Sequence, residues 1–167
     1  MIKSKELTQY QPILRYADGS GMNLATIQNA LMGQAANYQI PVQFYSDQIK
    51  EGGLLSSAST DCIVMFHPQH QNDYIKYVIS IKRQGTMAFV VVDNYGISKN
   101  NAKLSAGSSA LSDLKTSIFS KDPNESAAAL GRAFANGLKG LGGKKSRKEE
   151  EQMWYSAMSE IIGNVIA

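Results

Sequence analysis

Cysteine is nearly absent from this 167-residue sequence. Cys62 stands alone, which rules out an intrachain disulfide and predicts a chain built for a reducing compartment, the cytoplasm. Histidine is scarce too, with two in all. Lacking a second cysteine or a third histidine, the chain cannot form a structural zinc site of the usual thiolate-rich kind. Long apolar runs are missing: Cys62–Phe66 and Met87–Val92 are the longest, far short of the roughly 20 residues that a membrane-spanning helix needs. Lys3, Lys5 and Glu6 interrupt the opening residues, so the apolar stretch of a signal peptide is absent and no export signal is expected. No sign of charge dominates. Seventeen Lys and Arg against 14 Asp and Glu leave +3, too balanced for the field that phosphate backbones select, so no nucleic-acid partner is expected.

What is present suits a soluble globule. The composition is 43% hydrophobic and 19% charged, and a chain of this length buries a core without help from metal or disulfides. Leu24, Ile27, Leu31, Ala35 and Tyr38 recur at helical spacing, predicting a helix over 23–38 with Asn23 as N-cap and Pro41 as its stop. Val42–Tyr45 reads as a short strand, closed by Gly52-Gly53 and the serines that follow. Cys62–Phe66, apolar on both faces, reads as a central strand ended by Pro68.

The best-specified element is a hairpin. Ile75, Tyr77, Ile79 and Ile81 share one strand face and Lys76, Ser80 and Lys82 the other, so one side is core and the other mostly solvent. Gln84-Gly85 supplies the turn, and Met87–Val92 returns with both faces apolar. A polar linker over 98–109 precedes three helical patterns, at 110–119, from Asp122-Pro123 to Leu141, and from a capping box at Ser146–Glu149 to the end. The expected fold class is α+β: an antiparallel β-meander of about four strands, one N-terminal helix and three C-terminal helices packed on the sheet. In domain terms, 1–143 forms the core and 144–167 a final helix on the hinge Gly140, Gly142, Gly143, docked on the same domain or exchanged in a homo-oligomer.

Candidate chemistry is sparse. Asp61, Cys62, His67, His70 and Asp73 lie close together, which makes a small metal-dependent or thiol enzyme the alternative reading, with Asp93 brought near by the hairpin. Strand alternation works against it, since Cys62 and His67 fall on opposite faces of a regular strand and an apolar setting makes a cysteine inert. The glycine-rich run Gly137–Ser146 fails the spacing of a phosphate loop. No cofactor and no metal are therefore expected, and no catalytic set beyond the weak grouping of His67, His70 and Asp73.

The favoured expectation is a non-catalytic binding or protein-interaction module. Its face would comprise Trp154, Tyr155, Met158 and Ile162 on the last helix, meeting a protein partner or a second copy. A second alternative is association with a membrane surface through the basic segment 139–148, which holds Lys139, Lys144, Lys145, Arg147 and Lys148.

Overall fold

A computed structural model describes residues 1–11, 13–17, 21–52, 58–96 and 144–166. The sequence's hairpin is the frame of the molecule. β6 (Lys76–Gln84) and β7 (Met87–Tyr95) pair along their whole length from Gln84↔Met87 to Lys76↔Tyr95, with Gly85 at φ +62° in the turn. That positive φ is one that glycine adopts without steric cost. β5 (Ser59–Phe66) lies between β6 and β4 (Gln43–Lys50), so these four strands form the expected meander.

Three short strands that the sequence reading did not anticipate complete the sheet. β1 (Ile2–Lys3) pairs parallel with the end of β4, while β2 (Leu7–Gln9) and β3 (Leu14–Tyr16) pair antiparallel with successive parts of β7. β1 and β2 sit at opposite ends of the strand order β1-β4-β5-β6-β7-β2, yet only the 3-10 turn Ser4–Glu6 separates them in the chain. A linker of that length spans about 10–15 Å at most, so the sheet must curl until its two edges nearly meet. The result is α+β, with a mixed, nearly closed, barrel-like sheet.

The closure corrects one expectation. The face of β6 opposite Tyr77 and Ile79 is not mostly solvent: Ser80 is 1% exposed, and Val78 packs with Ile2, Ile49, Cys62 and Val64 in a small apolar core inside the curl. On that side only Lys82 and Gln84, at the turn end of the strand, are exposed.

Two helices cover the outer face. α1 (Leu24–Asn37) starts as expected, with the Asn23 side chain accepting the Thr26 N–H at 2.8 Å, and buries Ile27, Leu31 and Ala35. α2 (Lys144–Ile166) packs beside it and buries Trp154, Ala157, Met158, Ile161 and Ile162 over Ile63, Met65, Tyr77, Ile79, Val90 and Val92. Of the three C-terminal helices expected, the described residues contain this one; the patterns at 110–119 and 123–141 lie outside them, as does the glycine hinge. α2 also begins two residues before Ser146, so Ser146 lies within the helix and does not cap it. No described helix is long and apolar enough to cross a membrane.

Candidate functional site

Pro68 ends β5, and the chain then folds back on itself: the His70 N–H donates to the His67 carbonyl at 3.1 Å, and the Tyr74 N–H to the His70 carbonyl at 3.1 Å. These turns gather both histidines into an aromatic corner. Their rings are 4.9 Å apart, Tyr74 stacks on His70 at 4.2 Å and 8°, and Trp154 meets His67 edge-on at 5.8 Å. His67 is 1% exposed. Its Nδ1 accepts the Gln69 N–H at 3.2 Å, which leaves the ring proton on Nε2, and that atom has no hydrogen-bond partner among the described residues. Burial, reinforced by the neighbouring imidazole, pushes the His67 pKa down to about 4. The ring is neutral at pH 7 and a weak base.

The structure brings the rings of His67 and His70 together. Asp73 lies 3.7 Å from Nδ1 of His70, and Glu150 of α2 lies 3.9 Å from its Nε2. Both separations are beyond hydrogen-bond length. Cys62 is not part of the corner. It sits in the core inside the curl, on the other face of β5, paired across to Asp47 and Ser80, and burial pushes its thiol up to about 11. Asp93 is on that same inner side, opposite Val78, with its carboxyl raised by burial. Among the described residues, no three His, Cys, Asp or Glu side chains are grouped so as to hold a metal ion.

The four residues expected to form an interaction face hold α2 to its own chain. Trp154, Met158 and Ile162 are fully buried. The Trp154 Nε1–H donates to the Pro41 carbonyl at 2.8 Å, and half-buried Tyr155 stacks on Tyr77 at 5.0 Å while accepting a hydrogen bond from Asn94 at 2.8 Å. Of the basic residues, Lys144, Lys145, Arg147 and Lys148 fall on the first two turns of α2, and Lys139 lies outside the described residues.

Two surface features were not foreseen. The first is the edge of β4. β5 pairs with all of β4, but on the other side β1 covers only Ile49 and Lys50, so no described strand pairs with Gln43–Gln48 there. Glu51 donates its N–H toward the Ala58 carbonyl on the β5 side, and backbone groups alternate along a strand. Phe44 and Ser46 thus turn their N–H and C=O groups outward, whereas the outward N–H of Gln48 donates to the Asp47 carboxylate at 2.8 Å. Between this edge and the first turns of α1 runs a groove of about 480 Å³, lined by Leu24, Gln28, Ser46, Asp47, Gln48 and Asp61. The chain's N-terminal ammonium rests 2.8 Å from Asp47 and holds that carboxyl below its ordinary range, and Asp61 accepts from the Gln48 amide at 2.9 Å. The signal was present in the polar run Ser46-Asp47-Gln48, which reads as the end of a strand but is what an edge strand carries.

The second is a cleft of about 470 Å³ between the turn after His70 and the end of β7, lined by Glu6, Gln71, Asn72, Tyr74, Lys76 and Tyr95. Lys76 lies over the rings of Tyr45 and Tyr95, with centroids 5.8 and 5.9 Å from its Nζ. Burial lowers its pKa. Comparison with protein-family models, curated proteins and solved structures gives no match to this chain, so the geometry of these sites stands as the guide to what it does.

Proposed function

We propose that this chain is a cytoplasmic, non-catalytic protein-interaction module that takes an extended segment of its partner as an added strand on β4. One observation carries the reading: in a sheet curled almost shut, the stretch Gln43–Asp47 keeps the outward backbone donors and acceptors of Phe44 and Ser46, which no described strand uses. Exposed edges of this kind are templates for strand pairing unless they are blunted. The outer edges of β2 and β3 are shorter, three residues each. α1 walls the groove on one side, giving the strand-beside-helix setting in which added strands are held by main-chain bonds and sorted by side-chain pockets. Against an enzymatic role stand the separation of Cys62 from both histidines by the sheet and the weak basicity of His67.

The test uses a neutral strand-forming probe, the capped peptide Thr-Val-Thr-Val-Thr-Val, titrated into isotope-labelled protein and followed by amide chemical shifts. Perturbation should centre on Phe44 and Ser46. Ser46→Pro removes an outward donor without touching the ladder to β5, so it should abolish the response while far-UV circular dichroism stays unchanged. Shifts clustered elsewhere, or an unaltered response in the proline variant, would defeat the reading.

A further inference from the structure

We propose that the partner segment is basic: an extended stretch carrying lysine or arginine side chains, received by Asp47 and Asp61 as its backbone pairs with β4. This inference rests on the strand-addition reading above and adds to it the chemistry of the occupant. Two independent observations support it. The first is the open edge, which demands an extended backbone. The second is a cation already seated at the site, since the chain's own N-terminal ammonium, in line with β1, makes a 2.8 Å contact with Asp47. A strand continuing β1 along β4 would bring its side chains to the same place.

The two carboxylates lie on opposite faces of the sheet. Asp47 pairs across to Cys62 on the inner side, whereas Asp61 pairs across to Gln48 on the side of the helices. Successive residues of a strand also point to opposite faces. Two neighbouring basic residues in the incoming segment can therefore address both acids. Asp61 is exposed and the Asp47 side chain is 22% accessible, so an arriving cation keeps part of its water. The ammonium now on Asp47 is easily displaced, because Met1 is 71% exposed and such surface pairs contribute little. Whole-molecule charge does not explain the preference. The chain is net positive at +3, so a preference for a cationic peptide has to come from acids that are locally placed.

Three capped peptides serve as probes under the same amide-shift titration: Val-Lys-Lys-Val-Lys-Val, the neutral Thr-Val-Thr-Val-Thr-Val, and Val-Glu-Glu-Val-Glu-Val. At low salt the lysine peptide should bind at least about 10-fold tighter than the neutral one, and the glutamate peptide should be weakest. The advantage should shrink as salt is raised. In the double variant Asp47→Asn, Asp61→Asn, which keeps the hydrogen-bonding shape, it should vanish while the neutral peptide still binds. If all three peptides bind the edge equally, the basic partner is refuted and strand addition survives. If no peptide perturbs Phe44 or Ser46, the docking mode itself is lost and the inference with it. Lysine-peptide binding that Ser46→Pro leaves intact is a general charge effect and also overturns the proposal.

Discussion

Replacing Trp154 with phenylalanine isolates what fastens α2 to the sheet. The indole is fully buried, touches the rings of His67, Tyr74 and Tyr77, and donates its Nε1–H to the Pro41 carbonyl at 2.8 Å. Phenylalanine keeps most of the ring contact but leaves that carbonyl without its donor, a loss of about 1–3 kcal/mol. The smaller ring adds about 1 kcal/mol through the void it leaves. Together the expected loss is about 3 kcal/mol. With a urea slope of roughly 2 kcal/mol/M for a chain of this size, the unfolding midpoint should fall by about 1.5 M. Far-UV circular dichroism is the probe, because the substitution removes the chain's only tryptophan and with it the fluorescence signal. The midpoint should not depend on protein concentration if the helix docks on its own chain; a midpoint that climbs with concentration would mean an exchanged helix. A loss under about 0.5 kcal/mol would refute the claim that Trp154 anchors the helix.

Two further outcomes follow from the buried groups. His67 titrates near 6.5 when unfolded and about 4 when folded, so the unfolded chain binds more protons between those values; stability is full above pH 6.5 and should fall by up to roughly 3 kcal/mol as pH drops toward 4. His67→Asn, which retains an acceptor for the Gln69 N–H, should flatten the urea-midpoint profile across that window, and an unchanged slope would count against the assignment. Cys62, with its thiol raised from 9.0 to about 11 and its side chain 1% exposed, should react with a disulfide reagent at pH 8 at least about 100-fold more slowly in the native protein than in urea; comparable rates would show the thiol to be accessible.

Local signals carried much of the fold into the sequence. The alternation Tyr77, Ile79, Ile81 and the glycine at 85 specified the hairpin, and Asn23 with its stripe of apolar residues specified α1, because cap, period and stop agreed. The short strands β1, β2 and β3 carried no such signal: two or three residues hold no period, and their pairing is decided by partners at 49–50 and 88–95. The same non-local closure buried Ser80, whose neighbours Lys76 and Lys82 suggested solvent. At the candidate site, parity alone separated Cys62 from His67. The aromatic corner was not legible, since it needs Trp154 delivered from α2. The exposed edge of β4 was invisible because an unpaired side is a property of the assembled sheet and not of any one strand.

The join between β1 and β2 has a consequence for the order of assembly. Residues 2–9 clasp both margins of the sheet, one strand on β4 and the next on β7, so neither clasp can form until a partner more than 40 residues later, and for β2 more than 80, is in place. Residues 2–9 are thus among the last to lock, and shortening or anchoring them would unfasten two margins at once.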